Sequence, residues 1–175
     1  MGTDVESALR PPHLRHAAKS HPQAGEILEN ANCPVLAVPE DATFDGVIDK
    51  IAVATGYTDE DCLAIEKVMD WAGHFDANVY CVHVDSSHTE SITHRMDKFK
   101  EKFGDNLSIH FINVDVFDIR EGLTHFVEEE KVDILAMLTH KRSFFEELFH
   151  YSQAKQMSYH TNVPILSIQA HTLKN

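Results

Sequence analysis

KIAVATGYTDEDCLAIEKVMDWAGHF, residues 50–75, is the stretch that decides the fold. Lys50 to Thr55 is a short apolar run that stops at Gly56. From Asp61 to Phe75 the apolar residues Leu63, Ile65, Val68, Met69, Ala72 and Phe75 recur at helical spacing. The reading is strand, turn and helix.

Downstream the same alternation continues. NVYCVHV (78–84), LSIHFINV (107–114), VDILAML (132–138) and PILSI (164–168) read as strands. Between them, 92–103, IREGLTHFVEEE (119–130) and FFEELFHYSQAKQMSYH (144–160) read as helices. Five strands thus alternate with four helices. Strands that are apolar on both faces imply an α/β fold, with a mostly parallel sheet, right-handed crossovers and helices covering both sides. Such sheets bind ligands beyond the carboxyl ends of their strands, here residues 55–59, 84–88, 115–118 and 139–143.

Upstream, QAGEILENANCPVLAV (23–38) repeats as QAKQMSYHTNVPILSI (153–168) after a shift of 130 positions. The shift aligns Gln23 with Gln153, Ala24 with Ala154, Asn32 with Asn162, Pro34 with Pro164 and Leu36 with Leu166. Each copy reads as a helix, an Asn-x-Pro turn and a short strand. A period of this size is that of a domain. The expected organisation is a loose leader over 1–20, the final helix and strand of a preceding copy over 21–40, and one complete unit over 45–170.

Composition narrows the function. The chain has 175 residues, 43% of them apolar, enough for one core. With 15 Lys and Arg against 28 Asp and Glu, its formal charge of −13 repels phosphate backbones and anionic lipids, so neither nucleic acid nor membrane is an expected partner. Thirteen histidines would cancel much of that charge in mild acid, where solubility is expected to fall. Cys33, Cys62 and Cys81 show no CxxC spacing, which suits a reducing cytoplasm. No stretch reaches membrane-spanning length, and the opening residues have no apolar signal core.

The strand ends limit the chemistry. A loop that wraps phosphate needs glycine, and none follows Gly122. Bulky Leu138, Phe144, Phe145 and Tyr151 surround the junction after the fourth strand, while Gly56 is followed by Asp59, Glu60 and Asp61, which repel phosphate at that helix end. His140, Lys141, Arg142 and Ser143 are the one cluster of cations and hydroxyls at a strand end. They read either as an anion site or as a polar connection capped by Ser143. His83, Asp85, His88 and His140 read either as a metal site or as a packed strand histidine and a helix cap, and their spacing is no recognised ligand motif. Cys81 lies in an apolar strand and Cys62 beside carboxylates, so neither reads as a nucleophile. No catalytic residue, metal or cofactor is expected.

In this element order, the chain resembles the universal stress protein family over about residues 48–169, together with 23–39. NANCPVLAVP and TNVPILSI are similar to its closing strand motif, and CVHV to its second-strand ending. The resemblance implies a three-layer, five-stranded sheet of order 3-2-1-4-5, Rossmann-like, of the adenine nucleotide alpha hydrolase type. It implies a nucleotide cleft at Thr55, Gly56, Tyr57, Val84, Thr139, His140, Arg142, Ser143 and Ser152. In nucleotide-binding members an acidic residue ends the first strand, and a G-x-x-G, nine-residue, G-S/T signature follows the fourth. Here Gly56 takes the acidic position. Leu138 or Lys141, Phe144 and Tyr151 take the glycines, and Ser152 alone is retained. THKRSFFEELFH resembles the second half of tandem bacterial stress proteins. The expected function is therefore a non-enzymatic, cytoplasmic stress-response module acting through protein contacts. An ATP-binding or weakly hydrolysing switch is the alternative. Family members pair through their final strands, so Val35, Leu36 and Val38 are expected to meet Ile165, Leu166 and Ile168, within the chain or across a homodimer.

Overall fold

The computed structural model describes residues 31–39, 42–85, 90–104, 106–139 and 162–173, with backbone alone at 90 and 91. Its strands are β1 (Val35–Ala37), β2 (Lys50–Ala54), β3 (Asn78–Val84), β4 (Ile109–Val114), β5 (Ile134–Thr139) and β6 (Ile165–Gln169). Its helices are α1 (Asp59–Ala72), α2 (Glu90–Phe103) and α3 (Ile119–Glu130), and a single 3-10 turn follows at Ala170–Thr172.

The strands form one sheet in the order β1-β6-β5-β2-β3-β4. Pairs β2–β3, β2–β5, β3–β4 and β5–β6 are parallel, and β1–β6 is antiparallel. The sheet therefore has six strands where five were expected, because the strand preceding the complete unit joins the same sheet. Val35, Leu36 and Ala37 face Ser167, Leu166 and Ile165. The final strand thus has neighbours on both sides within one chain, and Val38 lies just past the ladder.

Residues alternate between two cores, as a strand period of two requires. Ile51, Val53, Cys81, Ala136, Leu166 and Ile168 face Ile65 and Val68 of α1 and Phe99 of α2. Ala52, Val82, Val84, Leu135, Met137 and Ile165 face Leu123, Phe126 and Val127 of α3. Helices on both faces give the expected layers. Gly122 of α3 allows a close approach there, since a Cβ at this position would lie 2.7 Å from Val116 Cγ2 and 3.0 Å from Val84 Cγ1.

Three of the boundaries that differ from expectation have a visible cause. The first helix starts at Asp59, two residues before the apolar periodicity, because Thr58 caps it. Strand β4 starts at Ile109 because Asn106 Oδ1 accepts from the Ser108 amide in a turn. Strand β5 starts at Ile134, since Asp133 turns its carboxylate onto the Asp49 and Lys50 amides, both at 2.8 Å, and clips β2 to β5. The helix expected over 144–160 lies outside the described residues.

Candidate functional site at the carboxyl ends of the strands

The loop after β2 is built from Thr55, Gly56, Tyr57 and Thr58. The Thr55 amide donates to Val82 O at 3.0 Å, prolonging the β2–β3 ladder by one bond. The Tyr57 amide then donates to Thr55 Oγ1 at 2.9 Å, closing a turn in which Tyr57 has φ 54°. Left-handed backbone is unfavourable for an aromatic residue and persists only when its surroundings hold it. Here the ring does so: Tyr57 is buried, edge-on to Phe99 at 5.3 Å and beside His83 and Phe111, with its hydroxyl 3.4 Å from Cys81 O. Burial, with the Cys81 thiol nearby, raises the Tyr57 phenol above its usual range.

Asp61 occupies the amino end of α1. Its Oδ2 accepts from the Gly56 amide at 2.9 Å and the Thr58 amide at 3.0 Å, while its own amide donates to Thr58 Oγ1 at 3.2 Å. This is a capping box. The helix end thus already holds an anion, the carboxylate of its own third residue, on donors that could otherwise meet a phosphate.

The loop carbonyls are engaged as well. His83 Nδ1 lies 2.8 Å from Thr55 O, and because a carbonyl only accepts, the imidazole carries a proton on Nδ1. Arg95 Nη1 of α2 donates to Gly56 O at 3.2 Å. Three amides and two carbonyls are therefore bound by groups from α1, β3, α2 and the loop itself.

The ends of β5 and β6 are different in character. Thr139 Oγ1 and Ser167 Oγ lie 2.6 Å apart, and Gln169 Nε2 donates to Ser167 Oγ at 3.2 Å. All three residues are buried, and they form a small neutral polar cluster inside an apolar sheet.

Of the residues assigned to the cleft from sequence, Thr55, Gly56 and Tyr57 share one loop. Val84 ends β3 and packs toward Gly122. Thr139 belongs to the cluster on β5 and β6. His140, Arg142, Ser143 and Ser152 lie outside the described residues, as do His88 and Lys141. Among the described residues no group of three or more His, Cys, Asp or Glu could hold a metal. Cys81 is fully buried and its thiol is pushed up to about 12, first by burial and then by Asp61 and Cys62 nearby. Such a thiol is a poor nucleophile at neutral pH.

Sequence reading missed Asp61 as a clamp and Arg95 altogether. The Thr58-x-x-Asp61 spacing carried the first signal, that of a capping box. Arg95 gave none, because 39 residues separate it from the carbonyl it binds.

A universal stress protein from Archaeoglobus fulgidus DSM 4304 superimposes with TM-score 0.63 at 13% identity, over 83% of this chain and 53% of that one. The fold is that of the universal stress proteins. A functionally unknown protein from Pseudomonas aeruginosa PAO1 aligns with TM-score 0.55 at 15% identity, covering 87% of this chain and 59% of its own. A proposed universal stress protein from Pseudomonas aeruginosa UCBPP-PA14 aligns with TM-score 0.55 at 15% identity, covering 87% and 60%. The chain thus spans between half and two thirds of these structures. By sequence, it matches no protein-family model and none of the curated proteins. Among the described residues no helix is long and apolar enough to cross a membrane.

Proposed function

We propose that this chain is a non-enzymatic, cytoplasmic stress-response module that acts through protein contacts, with a nucleotide cleft closed at the loop after β2. The observation that carries this reading is the occupancy of that loop. Gly56, Tyr57 and Thr58 amides and Thr55 and Gly56 carbonyls are all bound by side chains of the same chain. A nucleotide entering here must displace Asp61 from two amides. Hydrogen bonds to a charged group contribute about 1.5–3 kcal/mol each, so displacement removes much of what a new contact gives. The aspartate also repels any phosphate brought to the same helix end.

Calorimetric titration with ATP and magnesium tests the reading. The expected result is no heat from micromolar binding. Micromolar affinity would overturn it and make an ATP-binding switch the function, with Arg142, Ser143 and Ser152 as the residues to substitute next.

A further inference from the structure

The two edges of the sheet are built differently. At one edge β1 is three residues long, lies between Pro34 and Pro39, and occupies the outer side of β6. Short edge strands and prolines are a common protection against pairing with another chain. At the other edge β4 is six residues long and pairs with β3 alone, in an unbroken register from Ile109 to Val114. Residues 106–114, NLSIHFINV, contain no proline, lysine, arginine, aspartate or glutamate, in a chain of which 25% is charged. This edge carries none of the usual protection.

Hydrogen bonding with β3 fixes which groups of β4 face outward. The Val79 amide donates to Ser108 O at 2.7 Å and the Asp85 amide to Val114 O at 2.8 Å, so the even-numbered residues of β4 turn their backbone toward β3. The odd-numbered residues turn theirs out. Ile109 uses its amide on Asn106 O at 3.3 Å, which leaves Phe111 and Asn113 with amide and carbonyl both unpaired among the described residues. Alongside lie half-buried His110, Ile112 and Val114, with Leu107 89% exposed just before the strand and Phe117 86% exposed just beyond it.

We propose that the β4 edge is a self-association surface, occupied by β4 of a second copy of this chain in antiparallel pairing about a two-fold axis at Ile112. A strand that meets its own copy about a two-fold axis across a sheet edge runs antiparallel to it. In this register Phe111 faces Asn113 of the second copy and Asn113 faces its Phe111, so the outward amides and carbonyls of both residues gain partners. A register centred on Phe111 would set Asn113 against Ile109, whose amide is already engaged. One centred on Asn113 would set Phe111 against Asp115, past the end of the strand. The side chains favour the same axis. Ile112 meets Ile112, His110 meets Val114, and at each end exposed Leu107 meets exposed Phe117. The two apolar ends are thus complementary to each other under the two-fold, and no two like charges are placed opposite within the strand, which is why a second copy suits this edge. Pairing here leaves β1 on β6 and joins two sheets through their open edges.

The experiment uses the full chain with Cys33→Ser, which removes the exposed thiol. Light scattering should give twice the 19.8 kDa mass of one chain. A monomer at every concentration, or open-ended polymers, would overturn the proposal. N113P removes an outward amide alone, a place where an edge strand tolerates proline. It should keep the circular dichroism of the folded chain and raise the dimer dissociation constant by roughly tenfold or more, since each copy loses one donor. An unchanged constant would mean that the copies meet elsewhere. Oxidation of two cysteine variants reads the register with every amide in place. I112C should yield covalent dimers, because opposed residues of a non-hydrogen-bonded pair have Cα atoms about 4.5 Å apart, within disulfide reach. N113C should not, because it faces Phe111. Failure of I112C to cross-link would overturn the proposal, and it does so even where N113P does not fold. The nucleotide titration reads the loop after β2 and the mass measurement reads the edge, so the two succeed or fail independently.

Discussion

Two regions at the same end of the sheet solve the problem of buried polar groups in opposite ways. At the end of β2, side chains bind backbone: Asp61 holds two amides, and Arg95 and His83 each hold a carbonyl. At the ends of β5 and β6, neutral side chains bind one another: Thr139, Ser167 and Gln169 share a single oxygen and are wholly enclosed. The first arrangement fixes a path of the main chain that its φ values alone would resist. The second fills space and fixes little. Loss of a member should therefore be costly in the first region and mild in the second.

Tyr57→Ala should give the largest effect. It removes a buried ring that contacts Phe99, Phe111 and His83, and large-to-small aromatic substitutions in cores cost about 3–5 kcal/mol. Urea unfolding measures it, and a loss below about 1 kcal/mol would mean that the ring does not hold the turn. Asp61→Ala should follow at about 2–3 kcal/mol, since it undoes a cap and leaves the Gly56 and Thr58 amides to find other partners. Asp61→Asn keeps the shape and an accepting oxygen, so most of the stability should return. If it does not, charge rather than geometry is what the helix end requires.

Ser167→Ala should cost less, about 1–2 kcal/mol, because it removes the oxygen that Thr139 and Gln169 share and leaves two neutral buried groups to re-pair. A loss equal to that of Asp61→Ala would erase the contrast between the two regions. A further effect should appear in alkali. Folding raises the Cys81 thiol from its ordinary 9.0 to about 12, so the folded state keeps a proton that the unfolded state releases. Stability is then intact below pH 9 and declines as pH rises toward 12, with Tyr57 adding to the decline above 10. Melting curves from pH 8 to 10.5 should follow this course, and Cys81→Ala should flatten it.

The same contrast explains what was legible in the sequence. The central elements were readable because their patterns are local: NVYCVHV is β3 and IREGLTHFVEEE is α3. The start of β5 was not, since Asp133 reaches back to residues 49 and 50. In the site, the run of carboxylates that follows Gly56 could be read directly. The identity of each clamp could not. Asp61 was one of three adjacent acidic residues, and only the turn geometry selects it. Arg95 and His83 meet the loop solely because α2 and β3 flank it in space. The Thr139–Ser167 pair joins two strands that the sequence separates by 28 residues.

The antiparallel pairing of Leu36 with Leu166 also sets a timetable for biosynthesis. The earlier strand leaves the ribosome long before its mate exists. At roughly 5–20 residues per second, the intervening chain takes on the order of ten seconds to emerge. Throughout that interval an apolar tripeptide has no ladder to join. Chaperone occupancy on nascent chains should accordingly peak early and drop when the final strand appears, a profile that ribosome-bound capture at successive lengths would reveal.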